Sequence, residues 1–158
     1  MTFASDLVGW LDRERSRGHR IVLAGGCFDI LHVGHVSYLQ EASTLGDTLV
    51  VGLNSDESVR QLKGPGRPIN PVWARAAVLA SLSCVDRVVV FDELTPHKLI
   101  SIVRPDVYAK GGDYTRETLP EWSLVESLGG RVAILSHVPG YSTTDLIARL
   151  QAEPAPVT

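Results

Sequence analysis

The stretch Arg20-Ile21-Val22-Leu23-Ala24-Gly25-Gly26-Cys27-Phe28-Asp29-Ile30-Leu31-His32-Val33-Gly34-His35 decides the fold. Its apolar run, Ile21 to Ala24, is short and closed by Gly25-Gly26, the pattern of a buried strand. Beyond it Val36, Leu39, Ala42 and Leu45 recur at helical spacing until Gly46, a helix-stop signal. His32 and His35 therefore stand where a buried strand hands over to a helix. Unpaired N–H groups and the positive end of the macrodipole make a helix start attractive to phosphate. At i, i+3 the two imidazoles can face one way and donate to phosphate oxygens as charge builds on them. Gly34 between them leaves room for backbone or ligand to approach.

Working outward, the same alternation repeats. Strands are expected over 20–24, 48–53, 87–91, 107–109 and 131–135, with amphipathic helices between them. Asn54-Ser55-Asp56 is suited to capping a helix, and Asn70-Pro71 and Thr95-Pro96 are cap-plus-proline helix starts. Pro65, Gly66 and Pro68 mark a loop. A helix is expected over 119–128, and another runs through Leu146, Ile147 and Leu150. Ahead of the first strand, Phe3, Leu7, Trp10 and Leu11 predict a short helix outside the sheet, ended by Gly18. The fold class is thus α/β: a Rossmann-like, three-layer α/β/α arrangement around a five-stranded parallel sheet. Residues 1–19 read as an N-terminal helical extension, 20–151 as the domain, and 152–158, with Pro154 and Pro156, as a disordered tail.

The chain has 158 residues, 44% of them hydrophobic and 21% charged, as expected for one globular domain. A formal net charge of −3 gives no basic footprint for nucleic acid. No apolar run approaches the roughly 18 residues of a membrane span, and no signal peptide is visible. Cys27 and Cys84 are isolated, which suits reduced thiols in a cytoplasmic protein; Cys27 reads as a small buried filler rather than a nucleophile. H-E-x-x-H, the Walker loop and G-x-G-x-x-G are all absent, so zinc-peptidase, ordinary kinase and NAD-binding readings lose their weight.

In such a fold, ligands bind beyond the carboxyl ends of the strands. The polar clusters Asp29 to His35, Asn54 to Asp56 and Lys110-Gly111-Gly112-Asp113 all follow strands, which points to one composite site. Lys63 and Arg67, in the Gly/Pro loop, are candidates for phosphate contact. The glycines after Lys110 would let backbone N–H groups approach a ligand, and Asp113 could bind a ribose hydroxyl or orient a metal. Ser142-Thr143-Thr144 could cradle a second phosphate at a helix start.

Cys27 to His35 resembles the H-x-G-H signature of the cytidylyltransferase-like nucleotidyltransferases, and Ser142-Thr143-Thr144 their closing Ser/Thr motif. Taken with Asn54-Ser55-Asp56, Leu62-Lys63-Gly64, Arg67-Pro68-Ile69-Asn70-Pro71 and Lys110 to Tyr114, the set is similar to the D-glycero-D-manno-heptose 1-phosphate adenylyltransferases. That resemblance covers residues 20–151. It implies direct in-line transfer of AMP from ATP to a heptose 1-phosphate, with Mg²⁺ and release of pyrophosphate. His32, His35 and Lys63 would be catalytic. Gly26, Cys27, Phe28, Gly34, Lys110 to Asp113 and Ser142 to Thr144 would bind nucleotide, and Asp29, Asn54, Asp56, Arg67 and Arg75 would serve the acceptor. No direct protein ligand to metal is assigned. His137-Val138-Pro139-Gly140 replaces the Arg-Thr-Glu-Gly usual in cytidylyl members and fits ATP use. A homodimer, a cytoplasmic location and an upstream heptose kinase on a separate chain are also expected. The alternatives are a cytidylyltransferase acting on glycerol 3-phosphate or another phosphoalcohol, and a nucleotide-binding sensor without catalysis.

Overall fold

The computed structural model describes residues 4–136 and 138–152. Residues 153–158 of the tail expected at 152–158, Phe3 of the first helix and His137 of the departing motif lie outside them. Five strands, β1 (Ile21–Gly26), β2 (Thr48–Asn54), β3 (Arg87–Phe91), β4 (Val107–Gly111) and β5 (Arg131–Leu135), form one parallel sheet in the order β3-β2-β1-β4-β5. The helices are α1 (Ala4–Ser16), α2 (Val33–Ser43), α3 (Asp56–Lys63), α4 (Val72–Ala80), α5 (His97–Val103), α6 (Trp122–Ser127) and α7 (Thr143–Gln151).

Alternate residues of each strand serve opposite cores, as the two-residue period requires. On one face Ile21 and Leu23 of β1, Val50 of β2 and Tyr108 of β4 pack with Leu99, Ile100 and Val103 of α5 and Val125 of α6. On the other, Val22, Ala24, Val51 and Ala109 pack with Leu39 and Ala42 of α2 and Leu79 of α4. β2 is buried along its whole length. Gly52 makes room for one of these layers, since a Cβ there would sit 2.6 Å from Leu99 Cδ2. The N-terminal helix does more than flank the sheet: Leu7 and Leu11 of α1 are buried in the first core, against the α5 side.

Two expected caps are absent. Pro71 and Pro96 occupy the N-cap positions of α4 and α5, and neither helix has a side-chain cap bond. Asn70 instead turns its amide to the Asp29 carbonyl (2.9 Å), and Thr95 Oγ1 meets His97 Nδ1 (2.9 Å). Ser55 and Ser142 do cap α3 and α7, accepting from Ser58 N and Asp145 N. Among the described residues no helix is long and apolar enough to cross a membrane.

The winding reverses between β1 and β4, so the chain leaves these neighbouring strands in different directions. A crevice opens beyond their carboxyl ends, and the loops carrying the polar clusters gather around it.

Candidate active site

The crevice has two adjoining compartments that share the turn after β1. The larger, about 510 Å³, reaches from Gly26 and Cys27 across Asn54, Lys63 and Arg67 to Tyr108, Lys110 and Glu121. The smaller, about 290 Å³, lies over His32, Gly34 and His35 and is bounded by Tyr38, Gly111, Ser136 and Tyr141. Phe28, His35, Lys110, Ser142 and Thr143 face both.

His32 is the N-cap of α2 and its Nδ1 accepts from Gly34 N at 3.1 Å. That bond places the proton of the neutral ring on Nε2, leaving a donor free for a ligand. His35 stacks on His32 with ring centroids 3.8 Å apart, and Phe28 meets His35 edge-on at 5.2 Å. Burial, followed by the neighbouring His32, lowers the His35 pKa to about 4, so the ring is neutral at pH 7; the Ile30 backbone opposes this only in part. Nδ1 of His35 is buried and meets no hydrogen-bond partner of full geometry among the described residues. Burial likewise lowers the pKa of His32. The pair is thus a set of neutral N–H donors that bound phosphate charge would draw toward protonation.

Gly34 is needed for this stack. A Cβ there would lie 2.9 Å from His32 Cε1 and 3.0 Å from its Nδ1. Gly34→Ala should swing the His32 ring away and lower turnover by roughly tenfold or more, the sensitivity of positioned groups to small displacements. Steady-state kinetics on a variant with unchanged Tm checks this; unaltered kcat would show that His32 needs no fixed orientation.

Asp29 and Arg75 are organisers of the turn. Asp29 is 2% exposed, and its carboxylate accepts from Arg67 Nε (2.6 Å), Ile69 N (2.8 Å) and Asn70 N (2.9 Å). Burial pushes its pKa up, but the Asn70 and Ile69 amides and Arg67 outweigh this, and the net shift is downward. Arg75, 3% exposed, donates to the carbonyls of Asn70 (2.9 Å), Cys27 (2.6 Å) and Asn54 (2.9 Å) and to Asp56 Oδ1 (2.6 Å). It joins three loops from behind and, with Asp56, stands off the lining of both compartments. Gly112 (φ 121°) and exposed Asp113 also lie off that lining.

The remaining cations face the crevice. Lys63 ends α3 exposed and in no ion pair with a described residue, while Lys110 lies 5.3 Å over the Tyr114 ring. Asn54 lines the larger compartment, with its amide donating to Ser58 Oγ (2.9 Å). Cys27 Sγ is 3.9 Å from Asn54 Oδ1, and burial raises its pKa against the pull of Lys63, Arg75 and Arg67. It is a thiol at neutral pH, as a filler would be. At the start of α7 the Thr143 and Thr144 amides precede the first intrahelical bonds and can serve an anion. Among the described residues no three His, Cys, Asp or Glu side chains converge as a metal site. Tyr108 and Glu121 were invisible in the sequence, because one sits in an apolar strand and the other beside a helix start with no motif around it.

A parallel sheet wound in this order, with stacked imidazoles at the first helix start, defines a nucleotidyltransferase-type α/β domain. The chain belongs to the cytidylyltransferase-like family, which it matches over residues 23–149. It is 59% identical over 140 residues to the bifunctional protein HldE of Syntrophotalea carbinolica, covering 89% of this chain and 29% of that protein. With HldE of Geobacter sulfurreducens it shares 52% identity over 144 residues, 91% of this chain and 29% of that protein. It thus spans about 29% of the length of these curated relatives. The crystal structure of the lipopolysaccharide core biosynthesis protein from Thermoplasma volcanium is similar at a TM-score of 0.64 and 33% identity, covering 77% of this chain and 98% of that one.

Proposed function

We propose that the protein transfers AMP from ATP to a heptose 1-phosphate, giving ADP-heptose and pyrophosphate. The observation that carries this reading is the stacked His32–His35 pair at the start of α2, beside a compartment bearing Lys63 and Arg67. The similarity to HldE proteins over about nine-tenths of the chain supports the heptose acceptor.

The nucleotide occupies the smaller compartment, with its phosphates reaching the two imidazoles and the α7 start. The acceptor lies in the larger one. A phosphate oxygen of the sugar attacks the α-phosphorus in line, and the bond to the β-phosphate oxygen breaks as pyrophosphate leaves. His32 donates from Nε2, and His35, drawn toward protonation by the bound phosphates, donates beside it to the phosphate oxygens where negative charge grows. Lys63 and Lys110 hold the two anionic reactants together against their mutual repulsion. No covalent enzyme intermediate is required, in keeping with the raised pKa of Cys27. Mg²⁺ bound with ATP would supply neutralisation of phosphate charge and would be held chiefly by the phosphate oxygens, since no cluster of three ligating side chains lies among the described residues.

The test is pyrophosphate release with ATP, CTP and GTP against heptose 1-phosphate and glycerol 3-phosphate. Turnover with ATP and the heptose is expected. A clear CTP and glycerol 3-phosphate preference would move the protein to the phosphoalcohol branch, and nucleotide binding with no pyrophosphate would make it a sensor. Lys63→Ala should raise the KM for the phosphorylated substrates by about tenfold, the loss of one charge-assisted contact. Unchanged KM and kcat would free Lys63 of this role. A homodimer belongs to the same proposal and is read by light scattering.

A further inference from the structure

Two buried polar atoms in the larger compartment's wall have no partner in the fold: the phenol oxygen of Tyr108 and Oε2 of Glu121. Their residues are 1% and 5% exposed. Buried polar groups are nearly always hydrogen-bonded, and an orphaned one costs the full loss of its hydration. Two such orphans on residues lining one crevice mark where a ligand's own polar groups are missing. Both residues line the same compartment.

Their chemistry says what they would take. A phenol donates and a carboxylate only accepts, so together they suit a group that can both accept and donate, which is a hydroxyl. A phosphate fits badly, because Glu121 repels it. Lys63 and Arg67 stand on the β2 side and Lys110 at the end of β4, where both compartments meet, whereas Tyr108 lies deeper in β4 and Glu121 at the start of α6. An acceptor with a phosphate at one end and hydroxyls at the other has one way to lie across it.

We infer that Tyr108 and Glu121 are specificity-determining residues that bind the sugar hydroxyls of the acceptor. This rests on the heptose 1-phosphate reading and adds how the sugar is told from other phosphates. Neither residue touches the reacting phosphorus, so both act on acceptor binding more than on the chemical step.

The experiment uses the whole chain, ATP and D-glycero-D-manno-heptose 1-phosphate. Tyr108→Phe should raise the acceptor KM about tenfold, and Glu121→Gln by tenfold or more, the difference between a neutral and a charged hydrogen bond. The KM for ATP should stay within twofold in both. An acceptor KM unmoved in both folded variants, as a bridging structural water would give, overturns the inference; so does an equal rise in the KM for ATP. Monodeoxy analogues of the acceptor, assayed with the unaltered protein, need no variant to fold. At least one should lose about tenfold in kcat/KM, and a flat series overturns the inference. If the unaltered protein turns over no sugar phosphate, the functional reading and this inference fall together. If it is active and the variants match it, only the inference falls.

Discussion

His35→Ala should lower kcat by two orders of magnitude or more, the scale of removing one transition-state donor. The donor is lost from a place where nothing else can substitute: His35 is wedged between the His32 ring at 3.8 Å and the Phe28 edge at 5.2 Å. Because the ring is neutral at pH 7, its loss removes a hydrogen bond and not a standing charge, so ATP affinity should change less than turnover. The same residue leaves a trace in stability. Its folded pKa of about 4 lies below the ordinary 6.5, so in that window the unfolded chain binds a proton that the folded chain refuses. Stability therefore falls as pH drops from 6.5 toward 4, and His35→Ala should flatten that fall. Single-turnover rates and Tm between these pH values read both effects. A folded variant with kcat within threefold of the parent would take His35 out of the chemistry.

Arg75→Ala should destabilise the fold by about 3–5 kcal/mol, the range for breaking a buried charged network by removing one partner. The change strands the carbonyls of Cys27, Asn54 and Asn70 and the Asp56 carboxylate. At this chain length such a loss lowers Tm by roughly 10 °C. Arg75→Lys should rescue little, because one ammonium cannot reproduce a planar fork serving several loops. The sequence had placed Arg75 with the acceptor. That role makes the opposite forecast, an acceptor KM raised in a variant whose Tm moves by less than about 2 °C.

The chain's alternation of apolar runs and amphipathic segments was enough to place all five strands, and β3 and β5 match residue for residue. Short runs of β-branched residues, Val88-Val89-Val90 in β3 and Val132 and Ile134 in β5, leave a local signal even at the two edges of the sheet. The histidine turn was legible because His32, Gly34 and His35 are close in sequence, and their stacked arrangement follows from one helix start. Residues whose roles depend on distant partners were harder to read. Asn70 resembles a cap locally, yet it serves Asp29, 41 positions earlier. Arg75 and Asp56 carry the charges of binding residues and spend them on each other. Tyr108 and Glu121 acquire meaning only when β4 and α6 bring them to the same wall. Leu7 and Leu11 likewise became core residues only once α1 had a partner surface on the α5 side.

The Asp29 carboxylate also sets a timescale. Ile69 and Asn70 sit on an exposed loop beside Pro65 and Gly66, yet both amides donate into a carboxylate that is 2% exposed. Their exchange with solvent deuterium must wait for the loop to come away from the Asp29 carboxylate. A surface segment thereby keeps the clock of the interior, and the loop that carries Arg67 is held still before any substrate arrives.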